Sequence, residues 1–336
     1  MKKIDETVYA YPCSIIKAHE SKFLTKADLQ KLLDAKTINQ AMSILADFDY
    51  GDGKELANPR DFEKVITIAQ GGAYELVASI VPAEVRELLN IFLYPTDYYN
   101  VRVILKAEAL NLDPSSMLTY GGSIDKDKLV EMMRERNFTL MSSTMRDAIT
   151  NVMELFAKSN DPQIIDVLLD KACSKDMLET AMEYGNEFII NCIKLSLDII
   201  NVCTFVRLRE INKPSSFYQK VFLEGGNLNE KVLIDAWEDS YSQVADKLEP
   251  FGFKDLVLEA MVQSLSGKYV KLERAADNML LKFVKDAKYV TFGIEPLIGY
   301  IQAKNIEAVN IRLILTGKIA NLPKEIIEER LRDTYV

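Results

Sequence analysis

Three stretches of the sequence write the same chemistry: an acid, two residues, an asparagine, then an apolar run. They are DYYNVRVILK at 97–106, DIINVCTFVR at 198–207 and EAVNIRLILT at 307–316. A carboxylate can only accept hydrogen bonds, whereas an Asn amide donates and accepts at once. Placed three residues apart on a helix, the two share one face. Such a pair can satisfy backbone groups where helices meet, and Asn100, Asn201 and Asn310 are candidates for that role. The alternative is that these asparagines line an opening, together with the nearby cations Arg102, Arg207, Arg209 and Arg312, and meet a partner there. Each acid follows an apolar stretch, ELLNIFLY, EFIINCIKL or EPLIGYIQA, and Thr96, Ser196 or Asn305 stands one or two residues ahead of it. The expectation is a tight corner between two helices, with that residue as cap and the acid in the first turn, offsetting the helix dipole.

The residue types that catalysis needs are sparse. The single histidine, His19, has no second His or Cys close in sequence, and Cys13, Cys173, Cys192 and Cys203 form no Cys-x-x-Cys pair, so they read as apolar thiols in a reducing compartment. The Gly51-Asp52-Gly53 turn lacks the Lys and Ser/Thr of a phosphate loop, and the Gly-Gly pairs at 71, 121 and 225 lack the third glycine of a dinucleotide fingerprint. The 50 acids are interspersed with Lys and Arg, as a solvated surface requires. No catalytic, cofactor or metal site is expected, and the lone Trp237 reads as a core or interface anchor.

Elements must hold the acid–Asn pairs, and the composition says which. Hydrophobic residues at 48% with 27% charged residues suit a fully folded chain, and 336 residues suit two or three domains. A net charge of -9 argues against nucleic acid and against direct attachment to an anionic membrane. The opening MKKIDETVYAYPCS carries acids before any apolar run, unlike a signal peptide, and the apolar stretch 188–208 includes Asn191, Lys194, Asp198, Asn201 and Arg207, which suits a buried helix pair better than lipid. Apolar residues recur at helical spacing almost throughout, as at Leu29, Leu32, Leu33, Ile38, Met42 and Leu45, and no alternating strand run is evident.

A second signal keeps step with the first. Helix starts of the form apolar residue, cap, polar residues occur at LTKADLQKL, IDKDKLVEM, LNEKVLIDA and LPKEIIEER, with caps at Thr25, Asp125, Asn229 and Pro323. The apolar pairs Leu24/Leu29, Ile124/Leu129, Leu228/Leu233 and Leu322/Ile327 are spaced as hydrophobic staples. Cap to Asn measures 75, 76 and 81 residues in three successive copies, and Gly-Gly precedes the second and third starts as a hinge between units would. The reading is an all-α chain of three similar helical domains, 1–121, 122–226 and 227–336, set about an approximate threefold axis as a ring or funnel with a central opening, and the pseudo-threefold funnel is the form that the family resemblance below implies. Units this long are domains rather than solenoid turns of about 20–50 residues.

With the repeats in register, the chain resembles the C subunit of the V-type (archaeal and bacterial A/V-type) ATPases and ATP synthases, and is similar to the d subunit of the eukaryotic V-ATPase. The resemblance is strongest over FGIEPLIGYIQAKNIEAVNIRLILTGKIANLPKEIIEERLRDTYV from Phe292 to Val336, continues in PTDYYNVRVILKA and GGSIDKDKL, and is weaker in YAY…IKAHESKFL. It implies a non-catalytic central-stalk rotor part on the cytoplasmic face of the membrane. That part would join the rotor shaft, made of the D and F subunits, to the proteolipid ring and pass on torque for hydrogen or sodium ion transport or ATP synthesis. Membrane association would come only through the complex, with no nucleic acid and no cofactor. A soluble helical interaction scaffold unrelated to a motor is the alternative reading, and co-purification with a rotor shaft separates the two.

Overall fold

The computed structural model describes residues 5–54, 56–262, 267 and 269–336. Every regular element among them is helical. In chain order the α-helices are α1 (Ala10–His19), α2 (Lys26–Asp34), α3 (Ile38–Ala46), α4 (Phe62–Ile80), α5 (Ala83–Leu89), α6 (Tyr94–Ala109), α7 (Lys126–Glu135), α8 (Ser143–Ser159) and α9 (Pro162–Tyr184). There follow α10 (Glu187–Glu210), α11 (Ser215–Val221), α12 (Glu230–Asp235), α13 (Tyr241–Leu248), α14 (Lys254–Glu259), α15 (Val270–Lys285), α16 (Glu295–Ile319) and α17 (Lys324–Arg330).

Local chemistry sets the starts. Thr25 accepts from the Asp28 N–H while the Asp28 carboxylate accepts from the Thr25 N–H, a reciprocal capping box that begins α2. Asp125 and Asn229 cap α7 and α12 through their side chains. Each of these caps satisfies N–H groups that a helix leaves without an internal partner. Pro323 begins α17 with no side-chain cap, as a ring without a hydrogen-bond acceptor must.

Contacts divide the chain into two compact units. One is Arg86–Glu238, and its core sets Tyr98, Val101 and Ile104 of α6 against Leu129, Met132 and Met133 of α7, Met145 and Ile149 of α8, and Ile165 and Leu169 of α9. The other is discontinuous, formed by 5–85 with Asp239–Val336. There Leu29, Leu32, Leu33, Met42, Leu45 and Ile66 pack on Ile311, Ile314 and Leu315 of α16. These units and the sequence repeats are different divisions of one chain, the first drawn by shared cores and the second by recurring pattern.

Two local expectations need correction. The apolar stretches before the second and third acids are not separate helices, because α10 and α16 run unbroken through Asp198 and Glu307. Only the first acid stands in a first turn, after the short 3₁₀ segment Asn90–Leu93. Accordingly Thr96, Ser196 and Asn305 cap nothing: all three lie inside helices, the Ser196 hydroxyl donating to the Cys192 carbonyl and Asn305 accepting from Gln70. The segment expected as a helix pair at 188–208 is thus one helix, α10, long and apolar enough by composition to cross a membrane yet 61% buried within the protein over its most apolar window.

Candidate functional site

The acid–Asn pairs do build corners, but between elements that the sequence pattern had not connected. Asp97, Asn100, Asp198, Asn201, Glu307 and Asn310 are all buried. Each acid faces backbone N–H groups just ahead of a helix start. Asp97 accepts from the N–H groups of Ser123 (3.0 Å) and Ile124 (3.1 Å) and from the Ser123 hydroxyl (2.5 Å). Asp198 accepts from Asn227 N (2.9 Å) and Leu228 N (3.0 Å). Glu307 accepts from Leu24 N (2.5 Å). Ile124, Leu228 and Leu24 are the apolar residues immediately before the caps Asp125, Asn229 and Thr25, so acid and helix start, two independent sequence signals, meet in one contact.

The asparagines clamp a second piece of backbone. Asn100 accepts from Thr119 N and donates to Thr119 O, both at 2.9 Å. Asn201 does the same at Leu223 (2.9 and 2.8 Å), and Asn310 at Arg332 (2.8 and 3.2 Å). An amide is the side chain that can meet both backbone groups of one residue, which is the physical reason for Asn here. The structure therefore places all three asparagines at corners within the chain, each amide donating one bond and accepting one.

Glycine pairs complete the first two corners, and their role is not that of a hinge. A Cβ on Gly122 would fall on the Asp97 carboxylate and one on Gly226 on that of Asp198, while Gly121 and Gly225 turn the backbone at φ +90° and +103°. The pairs let backbone and carboxylate approach closely. The third corner has Lys22 two residues before Leu24 and a longer acid, Glu307, that reaches from further away.

Sequence reading missed another recurring residue. Asn111, Asn212 and Asn321 follow the three acids at equal spacing and hold the left-handed conformation (φ 53°, 54° and 52°). After each, the next N–H reaches back into the helix: Leu112 N to Ala107 O, Lys213 N to Leu208 O, and Leu322 N to Gly317 O. This closes the helix as a C-terminal cap. The visible signal was Asn followed within three residues by Pro114, Pro214 or Pro323. It also puts Pro323 in register with Pro214 rather than with Thr25, Asp125 and Asn229. Leu322 of the supposed fourth staple is 37% exposed, whereas Leu24 and Leu228 at the first and third starts are buried.

Electrostatics distinguish the corners. Burial pushes the carboxyls of Asp97 and Asp198 above the ordinary carboxylate value, against the opposing pull of their hydrogen bonds. Asp176, held by the Tyr98 phenol (2.9 Å) and the Ser142 hydroxyl (2.5 Å), is raised for the same reason. At the third corner Glu307 also takes the Lys304 ammonium (2.7 Å) and the Tyr50 phenol (2.8 Å), and burial beside that carboxylate raises the Tyr50 hydroxyl. A cavity of about 500 Å³ lined by Asp97, Ser123, Asp125 and Asp176 adjoins the first corner, against about 10 Å³ at the third, which Phe23 and Tyr335 close off.

The candidate cations lie beside these corners in different settings. Arg102 pairs with Asp170 and Asp166 of α9, and Arg312 with Glu63 (2.8 Å) and Gln70 (2.8 Å) of α4. Arg207 is exposed in the last turn of α10, and Arg209 lies over the Phe205 ring at 5.1 Å. Trp237 is a core anchor, edge-on to Phe205 at 5.3 Å. His19 is half-buried against Tyr300, and none of the four cysteines is in a disulfide. Among the described residues no three acids, His or Cys are grouped as metal ligands. Hydrogen-bonded fastening of helix starts is the chemistry these corners perform.

The family described as ATP synthase (C/AC39) subunit matches residues 12–330. The chain belongs to that family. It is 25% identical to the C subunit of the A-type ATP synthase of Methanocaldococcus jannaschii, over 98% of this chain and 87% of the relative. It is 21% identical to the C subunit of the V-type sodium ATPase of Enterococcus hirae (96% and 97%) and 23% identical to the C subunit of the A-type ATP synthase of Pyrococcus horikoshii (92% and 86%). The resemblance drawn from the acid–Asn repeats and the stretch from Phe292 thus holds over nearly the whole chain. As a C/AC39 chain it is a non-catalytic subunit of an ion-translocating ATPase or ATP synthase complex.

Proposed function

We propose that this C/AC39 chain is the central-stalk rotor subunit that joins the shaft, made of the D and F subunits, to the membrane proteolipid ring and transmits torque between them. Family membership across residues 12–330 carries the reading. The three corners support it, since a torque-bearing part must resist shear, and a helix start bonded through buried side chains is stiffer than one that rests on apolar contact alone. In this reading the repeats 1–121, 122–226 and 227–336 are three domains in a pseudo-threefold funnel on the cytoplasmic side of the membrane. The asparagines fasten the repeats internally, and Arg102, Arg207, Arg209 and Arg312 are the polar candidates for partner contact. With a net charge of -9, recruitment runs through protein contacts rather than bare anionic lipid.

The test is co-purification from solubilised membranes with the tagged full chain. Recovery of shaft and ring subunits together, and no sedimentation with protein-free anionic liposomes, is the expected result. Recovery of the chain with neither would return it to the class of helical scaffolds.

A further inference from the structure

The third corner differs from the others in what holds its two sides together. At the first two corners the acid and its backbone partner are 26 to 30 residues apart, so a short connection keeps them near each other when the hydrogen bonds break. At the third corner they are 283 residues apart, one in each segment of the discontinuous unit. Among the described residues the acid is ion-paired only here, Asp198 feeling Lys194 without an ion pair to it. Lys304 and Glu307 are one turn apart on α16 with side chains 7% and 6% exposed. The Lys304 ammonium also stands over the rings of Phe23 (5.1 Å) and Tyr50 (4.6 Å), both from the other segment, and the Tyr50 phenol returns a hydrogen bond to Glu307. One buried ion pair therefore grips the distant segment by a backbone N–H, a phenol and two aromatic faces.

We infer that Lys304, Glu307 and Tyr50 form a clasp, and that the discontinuous unit opens there, freeing the Leu24 helix start and α2–α3 from α16 while Arg86–Glu238 stays folded. The apolar core shared by α2, α3 and α16 supplies adhesion, which is non-directional. The clasp supplies register. Contacts around it are more exposed: Lys324 with Asp34 (2.5 Å), Lys318 with the Leu33 and Ala35 carbonyls, and the Tyr335 phenol with Glu20 (3.1 Å). None replaces a pair shielded from water.

Amide hydrogen exchange on the full chain tests this. Removing one member of a buried pair leaves an uncompensated charge, so Lys304→Met should speed exchange over 24–46 on the order of a hundredfold while α7–α9 exchange as before. Tyr50→Phe should give a smaller rise in the same amides. Lys304→Met with Glu307→Gln should recover much of the protection, because no unpaired charge remains. If Lys304→Met does not fold, Tyr50→Phe carries the test, with Lys304→Arg, which keeps the cation, expected to exchange closer to wild type over 24–46. Asp97→Asn, the matched lesion at the first corner, should speed exchange near 119–135 alone. Unchanged exchange over 24–46 in Lys304→Met and Tyr50→Phe, or equal acceleration of α7–α9, would overturn the clasp.

Discussion

The first and third corners solve one problem by different means. Both hold a buried acid against the backbone ahead of a helix start and a buried Asn against a second backbone strand. The first uses a short acid, a glycine pair, a hydroxyl and no cation. The third uses a longer acid, Lys22 where glycine would stand, and an ammonium with a phenol. What is common is the set of backbone groups that must be satisfied, and what varies is how far the carboxylate travels and what neutralises it. Side-chain identity is thus tied to local geometry more closely than to the repeat as such.

The largest expected effect follows from the glycines. Gly122→Ala and Gly226→Ala drive a methyl into the Asp97 and Asp198 carboxylates, displacing an acid and stranding the two backbone N–H groups that it accepts from. Overpacking plus lost hydrogen bonds amounts to about 4 kcal/mol for each variant. Lys22→Ala, at the matching place in the third corner, removes only a contact from its ammonium to the Asp47 carbonyl and should cost less than about 1 kcal/mol. Thermal melts compare the three. Equal shifts for Gly226→Ala and Lys22→Ala would break the distinction between the corners.

Next come the asparagines, where the two regions should agree. Asn201→Ala and Asn310→Ala each strip a backbone N–H and C=O of their partners, buried at Leu223 and part-buried at Arg332, a loss of about 3 kcal/mol at Leu223 and about 2 kcal/mol at Arg332. Denaturant titration with unchanged slope would register it. A loss confined to Asn201 would mean that the clasp, not the amide, holds the third corner.

These contacts explain which parts of the architecture were legible beforehand. Helical periodicity, the caps at Thr25, Asp125 and Asn229, and the acid–Asn repeats were readable because they are local: period, cap and spacing lie within a few residues. That the acid of one stretch bonds the start of another was not readable, since Glu307 and Leu24 share no local pattern. The expected caps at Thr96, Ser196 and Asn305 failed for a related reason: a polar residue before an acid resembles a helix start, but α10 and α16 continue because apolar burial on both sides of Asp198 and Glu307 outweighs the local signal. Gly-Gly looked like a hinge because the carboxylate that excludes a side chain there comes from 25 or more residues away. The αL asparagines at 111, 212 and 321 were readable in principle, through Asn and a following Pro, and went unread.

Acid should separate the two units in opposite directions. Asp97, Asp176 and Asp198, all in Arg86–Glu238, have carboxyls raised by burial. The folded state then holds protons more tightly than the unfolded chain. Their charge is a cost at neutral pH that is relieved as pH falls through the raised values, down to the ordinary carboxylate range. In the discontinuous unit the sign reverses. The Asp28 carboxyl is held low because hydrogen bonds from Lys31 and Thr25 outweigh its burial, and that of Asp34 is held low chiefly by Lys324. Stability from these two is present above the ordinary carboxylate value and lost as pH falls through the lowered ones. On mild acidification the fluorescence of Trp237, the sole tryptophan, should report a firmer Arg86–Glu238, with the 24–46 amides losing protection only at lower pH. Parallel loss in both units would remove the electrostatic part of the comparison.

The smallest effect belongs to the arginines. Arg102 bridges α6 to Asp166 and Asp170 on α9, and Arg312 bridges α16 to Glu63 on α4, each side chain partly exposed (24% and 32%). Pairs open to water are worth up to about 1 kcal/mol and weaken with salt. Arg102→Ala with Arg312→Ala should therefore lower the melting temperature slightly, less in high salt than in low. If these side chains exchange their internal acids for acids on the shaft, the double variant also binds reconstituted shaft subunits more weakly at low ionic strength, and raising salt brings wild type toward the variant. Both guanidiniums are already paired within their own units, so the contest is between an existing partner and a new one of similar strength, and a shift of severalfold in affinity is the scale to look for. Normal binding by the double variant at low salt would assign Arg102 and Arg312 to the fold and leave exposed Arg207 as the arginine to test next.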